Sequence, residues 1–352
     1  MKMKQQFYPG KKTVGVLSGV ILSSVVAFYL LILFWPQGNP YERVNVDIPK
    51  GSSLAEISAQ LRKKHIIRNE KAFLVAVKTL GHERNIPAGS YTLQAARTNF
   101  GIIQQLVNGS PRLIKVTILE GWKMTDIARH LETQLGTDRE AILSLKHDPQ
   151  LLEAWNIPGE SLEGFLFPNT YYFHKGQAPR SLLSAMLQEY RQTITRALLK
   201  RAQELGLSEL EVVTLASIIE GEAIHDEERP IISAVYHNRL KQGMRLQADP
   251  TIQYLIHDSP RRLLKRDLKI DSPYNTYLYN GLPPGPINNP GLQSILAALY
   301  PADNDYLYFV ARGDGYHTFS RTEAEHLKAK RAFQKVRRDI RRKKSLNQTK
   351  AG

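Results

Sequence analysis

The spacing of apolar and polar positions divides the chain into regions. Residues 14–35 carry no charged side chain. As a helix, a run of roughly 20 apolar positions crosses about 30 Å of hydrocarbon. Tyr29 and Trp35 lie toward its far end, and Pro36, Gly38, Asn39 and Pro40 open a polar linker over residues 36–43. The run predicts an uncleaved transmembrane anchor; the alternative is a signal peptide. The run is longer than a typical signal-peptide core, and no small-x-small cleavage pattern precedes Pro36. Lys2, Lys4, Lys11 and Lys12 come before it. By the positive-inside rule, residues 1–13 are then cytoplasmic and everything after Tyr41 lies outside.

Beyond the linker, Val44 to Ile48 alternates as a short strand, followed by turn chemistry from Pro49 to Ser53. Ser53 is placed to cap a helix carrying Leu54, Ile57 and Leu61 at helical spacing, with Glu56 three residues after the cap. The plan returns later: Lys115 to Leu119 reads as a strand, Glu120-Gly121-Trp122 as a turn, and Thr125 starts a helix through Ile127, Ala128 and Leu131. Between the two, Pro87 to Tyr91 reads as a turn into another strand. Repeated strand–helix units beside an anchor resemble LysM-like modules, which hold glycan chains. The other reading of residues 44–150 is a spacer that lifts the next domain off the bilayer.

Residues 151–335 form a third region. It opens on an aromatic block from Leu162 to Phe173. Helical spacing follows at about 180–205, 209–223 and 231–242. A Pro/Gly-rich loop spans 281–291, then come a helix to Leu299, a strand near 306–310 and a last helix after Ser320. Mixed helices and short strands predict an α+β fold with an N-terminal transmembrane helix, LysM-like strand–helix modules and a mixed α/β catalytic domain.

Composition changes this picture in two places. The net charge of +15 admits nucleic acid, an anionic membrane or an acidic polymer as partner, and an external location argues against nucleic acid. Part of the excess sits in a basic tail over residues 336–352, which has no apolar periodicity after Ile340 and reads as a solvated end. There is no cysteine, which excludes disulfides, a thiolate nucleophile and Cys-ligated zinc. His225, His237 and His257 lack the i, i+4 pairing of helical zinc sites, and no phosphate-binding Gly-rich loop occurs. No metal and no cofactor are expected.

The chemistry concentrates on one helix. Ser208 to Glu211 is a capping box, and the helix it opens runs Val212 to Glu220 almost without a polar residue. Glu220 shares a face with Val213, Ala216 and Ser217. A carboxylate there is either paired with a buried arginine such as Arg229, Arg239 or Arg245, or partly desolvated with its pKa raised so that it can donate a proton. Glu222 lies about 200° round the helix and reads as a surface or pairing residue.

A series of ordered motifs surrounds that helix: Ala216 to Ala223, Glu228-Arg229, Val235 to Leu240, Gly243 to Thr251, Tyr274 to Tyr277, Gly281 to Ile287 with Asn289-Pro290-Gly291, and Tyr308 to Val310 with His317-Thr318-Phe319. Together with the aromatic block they resemble the endolytic murein transglycosylase (YceG-like) family over nearly the whole chain. The resemblance implies a peptidoglycan lytic transglycosylase, a lyase. It would cut the β-1,4 bond between N-acetylmuramic acid and N-acetylglucosamine in nascent strands, leave 1,6-anhydro ends and so terminate elongation. The catalytic glutamate it implies is the first of the Glu-x-Glu motif, here Glu220, which would serve as both acid and base. Glycan strands, the membrane and peptidoglycan synthases are the partners implied. Position 221 is glycine where a larger residue is expected in many relatives, which costs the helix up to about 1 kcal/mol.

Gln247, Asp249, Tyr274, Asn275 and Thr276 supply the hydrogen-bonding types of a sugar groove. Asp249 also reads as a helix cap before Pro250, or as the second carboxylate of a lysozyme-type hydrolase. A third alternative is a non-catalytic scaffold on peptidoglycan. The loop over 281–291 reads as a fixed wall of the groove or as an ordinary crossover.

Overall fold

The computed structural model describes residues 11–36, 43–49, 51–94, 98–108, 113–256 and 260–350, with side chains described from Gly19 to Lys335 and at Arg338. Most of the predicted cytoplasmic end, most of the linker, His257 and nearly all side chains of the basic tail lie outside them. Two compact units emerge: Met1–Ile114 with Tyr172–Gln177, and Lys115–Tyr171 with Ala178–Gly352. The division falls near residue 114 and not at the expected 150. The helices just after it pack within the second unit, and Met124 N–H donates to the buried Glu163 at 2.8 Å.

The first unit contains α1 (Lys11–Phe34), β1 (Arg43–Ile48), α2 (Leu54–Lys63), α3 (Glu70–Thr79), β2 (Gly89–Gln94) and α4 (Asn99–Val107). Strands β1 and β2 pair antiparallel with Val44 opposite Leu93 and Val46 opposite Tyr91. That register puts Val46, Ile48, Tyr91 and Leu93 on the buried face. Helices α2 and α3 lie between the strands in sequence, giving a βααβ unit, and the Ser53–Glu56 capping box forms as read. The far end of α1 belongs to this core. Leu33 is buried, Asn99 Nδ2 donates to Ile32 O at 2.8 Å, and Tyr29 Oη donates to Thr79 Oγ1 at 2.7 Å. Among the described residues no helix is long and apolar enough to cross a membrane; the side chains of 14–18, within the predicted 14–35 run, are not among them.

The second unit runs from β3 (Leu113–Thr117), which begins at the boundary, through α5 (Met124–Leu135), α6 (Arg139–Leu143) and α7 (Pro149–Ala154) to the start of β4 (Thr170–His174), which pairs with β3 and whose last three residues belong to the first unit. Then follow α8 (Pro179–Thr193), α9 (Arg196–Glu204), α10 (Glu209–Glu222), α11 (Arg229–Lys241), α12 (Asp249–Leu255), α13 (Leu292–Leu299), the hairpin β5 (Tyr308–Ala311) and β6 (His317–Ser320), and α14 (Glu323–Lys350). The helical stretch expected over 180–205 is two helices. Ile194 leaves helical geometry, and Thr195 caps α9 by accepting from Leu198 N. Helix α14 continues into the basic tail as far as Lys350, through residue types such as Lys, Arg, Gln and Leu that favour helix.

Candidate functional site

Helix α10 is built to be surrounded. Its capping box closes as the sequence predicts, with Ser208 Oγ accepting from Glu211 N at 3.2 Å and Glu211 Oε2 accepting from Ser208 N at 2.8 Å. Every residue from Val212 to Ile219 is buried. The helix then ends on Glu220, Gly221 and Glu222, and these three meet different surroundings.

The side chain of Glu220 is 7% exposed. Oε1 pairs with Arg229 Nη2 at 3.2 Å, and Oε2 accepts from Gly291 N–H at 3.0 Å. Arg229 is held in turn by Asp226 at 2.9 Å and Ser294 Oγ at 2.6 Å. Of the three candidate arginines, Arg229 is thus the partner; Arg239 and Arg245 donate to backbone carbonyls. Glu120, in the turn after β3, stands beside the pair. Burial and the Glu220 charge both push its carboxyl above the ordinary range. The two carboxylates meet at Gly291: a Cβ on that residue would come 1.9 Å from Glu120 Oε1, while its N–H holds Glu220. In the sequence Glu120 reads only as part of a turn, and nothing in its spacing signals a carboxylate partner.

Next to this pair lies a groove of about 890 Å³. Its walls include Gly121 and Trp122, Gly221 and Glu222, Asp249, and Asn288. Glu222 is half-buried and accepts from Tyr236 Oη at 3.2 Å. Burial, and after it the Asp249 charge, pushes its carboxyl up to about 7. The groove, not open surface, is where this glutamate belongs. Asp249 is the first residue of α12 and makes no capping hydrogen bond, which overturns the cap reading; its Oδ1 accepts from Tyr277 Oη at 2.5 Å. Its carboxylate neighbour in the groove is Glu222.

Four other expected sugar-binding residues fall elsewhere. Asn275 is fully buried; its Nδ2 donates to Leu268 O and Ile270 O, and its Oδ1 accepts from Tyr277 N. Thr276 is buried too, accepting from Ala248 N and bonding Thr251 Oγ1. Both expectations are corrected: these side chains brace the backbone that presents Asp249. Gln247 is exposed with left-handed backbone (φ 49°), and Tyr274 is half-buried with its ring 5.1 Å from that of Tyr254. Neither lines the groove.

The loop over 281–291 does form a wall. Ile287 N–H donates to Ser217 Oγ at 3.1 Å, and Asn288 Nδ2 donates to Ser217 O at 2.8 Å. Asn289, fully buried, accepts from Gly164 N and Leu166 N and donates to Trp122 O and Glu163 Oε1. The aromatic block, the Glu120 turn and the loop are therefore fastened to one another through a single amide.

Three kinds of comparison bear on this arrangement. The model of the YceG-like family matches residues 46–332. The chain belongs to the YceG-like family. Among its relatives in that family, the endolytic murein transglycosylase of Bacillus subtilis is 36% identical over 310 residues, covering 82% of this chain and 84% of that one. The endolytic murein transglycosylase of Streptococcus pneumoniae is 29% identical, and the match spans 60% of its length. A YceG-like protein from Listeria monocytogenes, solved by crystallography, is 34% identical with a TM-score of 0.57, covering 82% of this chain and 99% of that one. Within this YceG-like site the glycine at 221 has a steric reason. A Cβ there would come 2.6 Å from Pro250 Cβ, so glycine lets the start of α12 close against α10.

Proposed function

We propose that this chain is an endolytic lytic transglycosylase that cuts the N-acetylmuramic acid–β-1,4–N-acetylglucosamine bond of nascent peptidoglycan strands. The observation that carries the reading is Glu220: a buried carboxylate ending an apolar helix, beside a polar groove, in a chain whose relatives bear that activity in their names. Protonated, Glu220 gives its proton to the leaving glycosidic oxygen. As carboxylate it then takes the proton of the muramyl 6-hydroxyl, whose oxygen closes on C1 to form the 1,6-anhydro ring, and Glu220 ends the cycle protonated as it began. Arg229 and the Gly291 N–H favour the carboxylate half. Glu120 stands beside Glu220, its own carboxyl held above the ordinary range by burial and by the Glu220 charge. No cofactor enters these steps.

The same reading anchors the chain in the cytoplasmic membrane through residues 14–35, with the N-terminus inside and the second unit outside. The βααβ unit is then a LysM-like holder of glycan, and peptidoglycan synthases are the natural partners of an enzyme that ends strands as they grow. The charge pattern around the apolar run supports the orientation.

Mass analysis of strands digested by wild type and Glu220→Gln tests the mechanism. Anhydro-muramyl ends are expected from wild type, with cutting lowered by a factor of about 10³ in the variant. Reducing ends would favour the second reading, a lysozyme-type hydrolase, which the closeness of Glu120 to Glu220 supports. Binding without cutting by wild type would leave a scaffold.

A further inference from the structure

Two motifs far apart in the sequence, Glu228-Arg229 and His317-Thr318-Phe319, meet in the structure. Glu228 closes the single 3₁₀ turn Asp226–Glu228, and Arg229 follows it as the first residue of α11. The Glu228 carboxylate is given wholly to His317: Oε1 accepts from its backbone N–H at 2.9 Å, and Oε2 meets its Nδ1 at 2.8 Å. A carboxylate can only accept, so Nδ1 carries the hydrogen. The His317 and Glu228 side chains are 9% and 7% exposed. Charged acceptors held this way make short bonds that fix geometry.

The end of the β5–β6 hairpin grips the same turn at two more points. Tyr316 Oη donates to Glu227 Oε1 at 2.9 Å, and the Tyr316 ring stacks on that of His225 at 3.8 Å with 10° between their planes. Gly315 has φ of 94°, and a Cβ there would come 2.9 Å from His225 Nε2, so glycine lets the hairpin close on the turn. His225, Glu227 and Glu228 are thus all held from the hairpin. What the turn presents is the guanidinium of Arg229, aimed at Glu220 Oε1 at 3.2 Å. Two of the things that aim it lie on the turn: the backbone it starts from, and Asp226, which accepts from Arg229 Nε at 2.9 Å.

We propose that His317 and Glu228 are positioning residues for the glycan cut, and that the β5–β6 hairpin is the clasp that sets Arg229 against Glu220. The inference rests on the reading of Glu220 as the acid and base of that cut. Neither residue lines the groove, so neither acts on the glycan directly. Both oxygens of Glu228 are taken by His317, so its influence on Arg229 passes through the turn they share. Without the imidazole, Glu228 Oε2 loses its partner in a buried place and the turn is free to shift. A displacement of the order of 1 Å in a group that supports the reacting atoms lowers a rate by up to about 10².

The test is steady-state cutting of isolated peptidoglycan strands by the full chain, with kcat and KM separated, beside crystal structures of the same variants. For His317→Ala, kcat is expected to fall by a factor of about 10–100, with KM within about twofold of wild type. His317→Asn sets an amide nitrogen where Nδ1 lies and should restore kcat to within about twofold; His317→Gln carries its amide one bond too far and should not. In His317→Ala crystals, Arg229 Nη2 is expected more than about 4 Å from Glu220 Oε1. Melting curves confirm that each variant is folded; should His317→Ala not fold, the Asn and Gln variants decide between them. The proposal is overturned if His317→Ala melts lower but keeps its kcat, if KM rises while kcat holds, if the Asn and Gln variants cut alike, or if the Arg229–Glu220 pair stays at 3.2 Å. If wild type does not cut, the transglycosylase reading falls while the crystallographic distance still decides the clasp; if it cuts and the variants fail, the clasp falls alone.

Discussion

Arg229 is what permits Glu220 to sit 7% exposed at the end of an apolar helix. Breaking a buried pair by removing one partner leaves an uncompensated charge and costs about 3–5 kcal/mol. Arg229→Met is expected to lose stability on that scale in urea unfolding, and adding Glu220→Gln should return part of the loss. A double variant as unstable as the single one would remove the ion pair from the account. The importance of Glu220 was legible in the sequence, because an acid in an unbroken apolar run has few harmless explanations. Its partner was legible only as one of three arginines. Asn275 and Thr276 misled for a physical reason: an amide or hydroxyl serves a backbone carbonyl as readily as a sugar, and sequence does not say which it meets.

Among the elements, α10 shows where propensity and packing oppose each other. Alanine at 221 would favour the helix by up to about 1 kcal/mol on intrinsic preference. The added Cβ, 2.6 Å from Pro250 Cβ, forces α12 outward, and overpacking of this kind costs about 1–3 kcal/mol. The net expectation for Gly221→Ala is a lower melting temperature despite better helix chemistry; an unchanged or raised value would show that α12 shifts freely. Strongly patterned elements such as α2, α10 and the strand β1 follow from the sequence almost to the residue. The break between α8 and α9 does not, since no glycine or proline marks it and only Thr195 acts as a stop and a new cap. The end of the last helix was not legible: the tail gave no periodic signal, although its residue types are good helix formers and α14 runs on to Lys350.

At the scale of the whole molecule, Asn289 is the joint of the second unit. Asn289→Leu would leave Gly164 N–H, Leu166 N–H and the Glu163 carboxylate without this partner in a buried place, at about 1–3 kcal/mol for each group left unsatisfied. The expected outcome is a loss of several kcal/mol in urea unfolding together with loss of glycan cutting; a stable but inactive variant would mean that the loop is held by other contacts. The sequence placed a domain boundary near 150 because the aromatic block begins soon after. It could not show that α5 to α7 already serve the second unit, since the links that bind them there come from residues beyond 150, Glu163 to Met124 N–H and Arg180 to Asp148 among them.

The six residues Tyr172–Gln177 belong to the first unit although the chain on both sides of them belongs to the second. The two units are therefore interleaved along the gene, not strung end to end. A single recombination event at one point cannot exchange one unit for another intact, so in this lineage they are expected to be inherited and lost together.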